Sequence, residues 1–285
     1  MNRITQTKKA VAFLGELVES GGSIKPSPFA TGFFVSADGI SHLVTAKHVV
    51  IDSTTHKTKE DIVVFINRKD NARIEPLSIK ALQERDKTHW IFHSNDMVDI
   101  AIIPFPFNYT EHDVAIIPET AFLNTTDFAE LYDVFFLSYQ PGIQEESRIN
   151  PIIRAGAVSR INEDLSFYID AAAFPGNSGS PVFLTPSGWR FGDDGGVILG
   201  QDKIAGRFIG LVGAYVPYKD VAISQQTGQP RVIFEENTGL SIVWSVNYIT
   251  QIMTSQSFKE QNNAIKRSIE KEQGLQHHAS LPDKP

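Results

Sequence analysis

The sequence contains no cysteine, and that one absence excludes disulfides, thiolate metal sites and a cysteine nucleophile. Long apolar runs are missing as well: no stretch reaches the ~18 residues that span a bilayer as a helix. Near the N-terminus the run AVAFLGELV is broken by Glu16 and no small-residue cleavage site follows, so no signal peptide is read and a cytoplasmic location is expected. Basic charge is scarce, with 26 Lys and Arg against 33 Asp and Glu, a net charge of −7. Without a Lys/Arg-rich block the chain lacks the electrostatic footprint of a nucleic-acid binder. Neither nucleic acid nor membrane is an expected partner. Phosphate-cradling glycine loops are absent too, because Gly195-Gly196 and Gly200 fall in an acidic stretch with no lysine or following helix pattern. None of the eight histidines forms an HExxH pair, and His277-His278 stands in a polar tail. No metal site and no cofactor are expected.

What is present is a chain of 285 residues, 41% hydrophobic and 21% charged, close to the composition of ordinary globular proteins. Short apolar runs rich in β-branched and aromatic residues recur: ATGFFVS at 30–36, HLVTA at 42–46, DIVVFIN at 61–67, DIAIIPF at 99–105, DVFFLSY at 133–139, FYIDA at 167–171, SPVFL at 180–184, RFIGLVGAYV at 207–216 and GLSIVW at 239–244. Turn signals separate them, among them Ala37-Asp38-Gly39, Gln140-Pro141-Gly142, Thr185-Pro186-Ser187-Gly188 and Asp193-Asp194-Gly195-Gly196. Many short strands with such punctuation predict a mostly β protein, a barrel or sandwich. The clearest helical spacing runs from Val246 to Met253 and predicts a closing helix. Beyond it few large apolar residues, chiefly Phe258, Ile265, Ile269 and Leu275, are available to bury, so 255–285 is expected to be a polar helical or disordered tail. The aperiodic segment 107–130 divides the chain. The expected organisation is an N-terminal segment with the first strand over 1–27, a first unit over 28–118, a linker with the second unit and closing helix over 119–254, and the tail.

Three strings carry candidate chemistry. In Phe174-Pro175-Gly176-Asn177-Ser178-Gly179-Ser180-Pro181 a serine stands between two glycines just before an apolar strand. Glycine permits backbone conformations and close approaches that a Cβ forbids, so the N–H groups around Ser178 can converge on a developing oxyanion. The same composition also makes an ordinary polar turn. In Leu43-Val44-Thr45-Ala46-Lys47-His48 an apolar strand runs into a histidine. Such a residue is either structural or the base that a weakly nucleophilic hydroxyl requires near neutral pH. In Val98-Asp99-Ile100-Ala101-Ile102 one carboxylate interrupts an apolar run. A buried carboxylate needs a partner. An imidazole N–H would serve, although Asp99 could also open a turn and Asp96 is a neighbouring rival.

Taken together the three strings resemble the trypsin-like, chymotrypsin-fold serine peptidases. Thr45-Ala46-Lys47-His48 matches that family's T-A-x-H motif, Asp99-Ile100-Ala101 its D-[IL]-A motif, and Gly176 to Pro181 its G-[DN]-S-G-[GS]-P motif, in the order His, Asp, Ser. The likeness extends from about residue 28 to 254 through Ala30-Thr31-Gly32-Phe33, Tyr139-Gln140-Pro141, Arg154-Ala155-Gly156 and Gly210-Leu211-Val212-Gly213. It implies two packed antiparallel β-barrels with a C-terminal helix, a catalytic triad of His48, Asp99 and Ser178, and an oxyanion hole at Gly176, Asn177 and Ser178. It also implies a substrate site lined by Ala172, Ala173, Gly210, Val212, Gly213 and Ala214. With no acidic or basic residue among these, a small or medium apolar side chain is expected before the scissile bond. Asn177 stands where the digestive members carry an aspartate that pairs with a new N-terminus, and no Ile-Val-Gly-Gly activation sequence is present. The resemblance therefore points to the bacterial-type Deg/HtrA-like and glutamyl-endopeptidase-like branches, here without a PDZ domain. The implied function is a serine endopeptidase acting on polypeptides, with an activating protein partner as a possible gate acting through 107–130, the 193–196 loop or the tail. The alternative is a catalytically silent binding module on the same fold.

Overall fold

The computed structural model describes residues 3–70, 74–143, 148–185, 189–191, 197–199 and 206–279. After α1 (Arg3–Lys8) come β1 (Val11–Ser20), β2 (Ser23–Ala37), β3 (Ile40–Thr45), α2 (Lys47–Val50), β4 (Val63–Asn67), β5 (Ile74–Ser78), α3 (Ile79–Asp86), β6 (Ile91–Phe92), β7 (Ala101–Pro104) and β8 (Ile117–Pro118). These strands form one sheet in the order β5-β4-β1-β2-β3-β7-β6, with β8 added parallel to β2. The second half contributes β9 (Asp133–Ser138), β10 (Ile152–Ile161), β11 (Phe167–Asp170), β12 (Pro181–Leu184), the small hairpin β13 (Trp189–Phe191) and β14 (Val197–Leu199), β15 (Phe208–Ile223) and β16 (Pro230–Ser245). Here the sheet closes into a barrel, β10-β11-β16-β15-β12-β9. The chain ends in α4 (Val246–Thr254) and α5 (Gln256–Ala279). The fold is mostly β, in two sheets with C-terminal helices.

Strand character follows from burial on both faces. Leu43, Val44, Ala101, Ile102 and Ile103, in the paired strands β3 and β7, are fully buried, as continuous apolar runs in central strands should be. The two sheets meet across aromatic rings: Phe33 of β2 lies 5.1 Å from Phe208 of β15, and Phe13 of β1 lies 5.0 Å from Tyr139 after β9. The second barrel has its own core around Val134, Phe136, Phe167, Ile169, Val182, Val212 and Val243.

Two features add detail to the expected organisation. Strand β1 pairs with both β2 and β4, so residues 11–27 belong to the first sheet. The polar tail is also docked. Phe258 is buried on the first sheet's core, and Gln261 and Asn262 are buried beside it, because one face of α5 supplies enough apolar and hydrogen-bonding groups to seat its first turns. The side chains of His277 and His278 and the loop at 193–196 lie outside the described residues.

Candidate active site

His48 is the second residue of the single-turn helix α2, placed by the buried end of β3. Asp99 stands two residues before β7, the antiparallel neighbour of β3, so strand pairing brings the two residues to one end of the sheet. The carboxylate of Asp99 accepts twice from the same residue. Its Oδ1 takes the His48 backbone N–H at 2.8 Å and its Oδ2 lies 2.6 Å from Nδ1 of the ring. Two contacts fix both the position of α2 and the orientation of the imidazole, leaving Nε2 directed away from the carboxylate. The rival Asp96 is fully exposed and pairs with Lys47 at 3.1 Å.

Ser178 comes from the second half, on the turn before β12. Its Oγ donates to the Gly213 carbonyl at 3.1 Å, and a Cβ at Gly213 would lie 3.7 Å from Asp99 Oδ2, so the serine, the histidine and the carboxylate share one cleft. Among the described residues there is no hydrogen bond between Ser178 Oγ and His48; rotation about the serine's Cα–Cβ bond is what would exchange the Gly213 acceptor for Nε2.

The turn is held by a clasp that no short motif announces. Thr31 of β2, fully buried, donates from Oγ1 to the Gly176 carbonyl at 2.8 Å and accepts from the Tyr139 N–H at 2.9 Å. Its backbone N–H donates to the Ser178 carbonyl at 3.1 Å, and its own carbonyl accepts from Thr45 Oγ1 at 2.8 Å. Gly176 has φ +98 and Gly179 has φ +83. At Gly179 a Cβ would stand 2.1 Å from the Thr31 carbonyl oxygen and 2.4 Å from Thr45 Oγ1, which only glycine avoids.

The sequence-predicted oxyanion residues divide. Among the described residues neither the Gly176 nor the Ser178 N–H donates to a protein acceptor, which leaves both available. Asn177 is a correction: its N–H donates to the Phe174 carbonyl at 2.9 Å. Its buried side chain accepts from Phe174 N–H at 2.9 Å and donates to the Tyr139 carbonyl at 2.6 Å. Asn177 braces the turn and offers no donor to the cleft.

The predicted substrate residues divide too. Gly213 presents its carbonyl beside Ser178, Ala214 is exposed next to it, Ala172 is half-buried, and Ala173 is buried with its N–H donating to Ser241 Oγ and its carbonyl accepting from Asn237. Val212 and Gly210 are corrections. Val212 is fully buried in the second barrel's core and Gly210 is locked between Val182 and Ser245 in the ladder, so neither lines the cleft. The alternation of strand faces, interrupted by the bulge at Gly213, assigns them inward.

No group of three or more His, Asp or Glu placed to hold a metal ion occurs among the described residues, and no described helix is long and apolar enough to cross a membrane. A family model described as the trypsin-like peptidase domain matches residues 30–191, more than half of the chain. No curated protein matches it. Among solved structures, the crystal structure of the serine endoprotease from Yersinia pestis is similar at 14% identity with a TM-score of 0.47, covering 90% of this chain and 65% of that one.

Proposed function

Since the chain belongs to the trypsin-like peptidase domain family, we propose that it is a serine endopeptidase working through an acyl-enzyme on Ser178. Carrying this reading is the double contact of Asp99 on His48, with the Ser178 hydroxyl held in the same cleft. Ser178 Oγ attacks the scissile carbonyl carbon while its proton passes to His48 Nε2. The oxyanion is stabilised by the N–H groups of Gly176 and Ser178. Collapse of the tetrahedral intermediate breaks the C–N bond, and His48 returns the proton to the departing amine. Water then repeats the sequence on the ester. Asp99 keeps the Nδ1 proton in place and stabilises the imidazolium without itself taking the proton.

The half-buried Ala172 and the exposed Ala214 beside Gly213 support a small or medium apolar residue before the scissile bond. A peptide-library profile is expected to favour Ala, Val or Leu there, and dominance of Arg, Lys or Glu would overturn that preference.

A fluorophosphonate probe tests the mechanism. The intact protein is expected to be labelled, while folded Ser178→Ala and His48→Ala variants are not. Equal labelling of the intact protein and Ser178→Ala would place the nucleophile elsewhere. Asp99→Asn, which leaves the shape but reverses the hydrogen bond to Nδ1, is expected to lower kcat by about 10⁴-fold.

A further inference from the structure

Strands β15 and β16 do not stop at the barrel. Beyond Tyr215 they run on as a two-stranded ribbon, pairing from Pro217 with Asn237 to Ile223 with Pro230. At ~3.3 Å per residue this arm projects about 20 Å past the barrel's last shared strand. A two-stranded ribbon alone is marginal in water, yet this one exposes large apolar side chains on both faces. Phe234 and Val232 share one face with Tyr218, while Val221 and Ile233 are cross-strand partners on the other. Ile233 is 69% exposed, Ile223 62% and Phe234 54%, far from the burial such residues normally find. Its root is fixed by polar contacts, the Tyr215 hydroxyl donating to Glu235 at 2.7 Å and Lys219 pairing with Glu235 at 3.1 Å.

We propose that this ribbon is an accessory arm of the active site that grips an apolar stretch of polypeptide substrate on the N-terminal side of the bond to be cut. The inference rests on the acyl-enzyme reading of Ser178. Continuity carries it: β15, the strand that forms the arm, also contains Gly213, whose carbonyl lies 3.1 Å from Ser178 Oγ. A substrate residue whose carbonyl carbon sits at Oγ has its own N–H two bonds away, within reach of that Gly213 acceptor. The residues preceding it then pass Ala214 and Tyr215 onto the arm. Pairing of the arm with a second copy, edge to edge, is opposed by two features of β15. Pro217 has no N–H to give, and the N–H of Val221 is already taken by the Asp220 carboxylate at 2.7 Å, devices that blunt a strand edge. Side chains on the faces, rather than backbone on the edge, are what the arm offers, and they suit an unfolded, apolar segment.

The test compares an octapeptide spanning a cleaved bond with the same peptide lengthened by ten residues. An N-terminal extension rich in Leu, Val and Phe is expected to raise kcat/KM by about tenfold or more, through KM, as burial of even one or two such side chains allows. A Gly/Ser/Glu extension, or an apolar extension on the C-terminal side, is expected to give no gain. In a variant with 220–234 replaced by an Asn-Gly turn, which keeps Lys219 opposite Glu235, and in Ile233→Ser/Phe234→Ser should that variant misfold, the ratio of extended to short rates is expected to fall to about one. An undiminished ratio in a folded variant, a gain only from the C-terminal extension, or a dimer in light scattering that the double variant converts to monomer would each overturn the proposal. Failure to cleave even the octapeptide would count against the acyl-enzyme reading. Anisotropy of labelled peptides on Ser178→Ala then still decides the arm, tenfold tighter binding of the apolar extension supporting it and equal binding overturning it.

Discussion

Thr31 shows how one side chain can hold a distant turn, here the one that carries the proposed nucleophile. Its hydroxyl holds the Gly176 carbonyl and the Tyr139 N–H, both inside the protein, so Thr31→Val, of the same shape, leaves two polar groups unpaired at about 1–3 kcal/mol each. Chemical denaturation is expected to register that loss. Because the Gly176 peptide also orients a proposed oxyanion donor, kcat should fall more than KM rises, and Thr31→Ser should restore both; a variant with lowered stability but unchanged kcat would make Thr31 purely structural. The three residues of the proposed triad were legible in sequence because each lies in a short local pattern: His48 after an apolar strand, Asp99 interrupting one, Ser178 between glycines. Thr31 was not, since its partners stand 108 and 145 positions away and nothing in Ala30-Thr31-Gly32 marks a buried hydroxyl. Val212 and Asn177 were misassigned for a related reason: which face of a strand or turn a side chain takes depends on a bulge and on hydrogen bonds that the local string does not record.

At the scale of elements, the strand cores were readable from their apolar runs, but their lengths were not. β15 and β16 continue through Lys219, Asp220, Glu235 and Glu236, where adjacent charged residues hide the pairing that turn geometry at 224–229 completes. α5 was visible as spacing without a destination. Its seat is His42, fully buried in β3, whose Nε2 meets the Asn262 side chain at 2.9 Å and whose ring stacks on Phe258 at 4.7 Å. Phe258→Ala is expected to cost about 3–5 kcal/mol, measured by denaturant unfolding. Burial holds the His42 ring below its ordinary value of 6.5, against the raising influence of its bonds to Asn262 and Ile40 and of nearby Glu119 and Asp38; Lys266 of α5, paired with Asp38, offsets part of that field. In the unfolded chain the ring takes a proton near 6.5, whereas in the fold it resists. The stabilisation is therefore complete above that pH and is lost as pH falls toward the lowered folded value. Thermal melts are expected to show a decline below about pH 6.5 that is shallower in His42→Gln, and identical slopes in the two proteins would remove His42 from the account.

For the whole molecule, the decisive fact is that the cleft belongs to neither half. His48 and Asp99 are positioned by the first sheet, Ser178 and Gly213 by the second, and the join between them consists of buried groups: Thr31 against Gly176 and Ser178, Phe33 against Phe208, and Asn67 bonded in both directions to the backbone of Ile149. A site assembled this way has geometry only while both cores are intact and docked, since displacement of about 1 Å already costs a reaction of this type heavily. Loss of activity and loss of secondary structure in denaturant are thus expected to share one midpoint, followed by peptide hydrolysis and circular dichroism on the same samples. Phe208→Ala, which opens the seam where four phenylalanine rings meet, should separate the two curves, with activity failing at lower denaturant than the far-ultraviolet signal. If both curves instead moved together by the same amount, the two sheets would be a single cooperative unit and the seam would tune stability without independently gating the cleft.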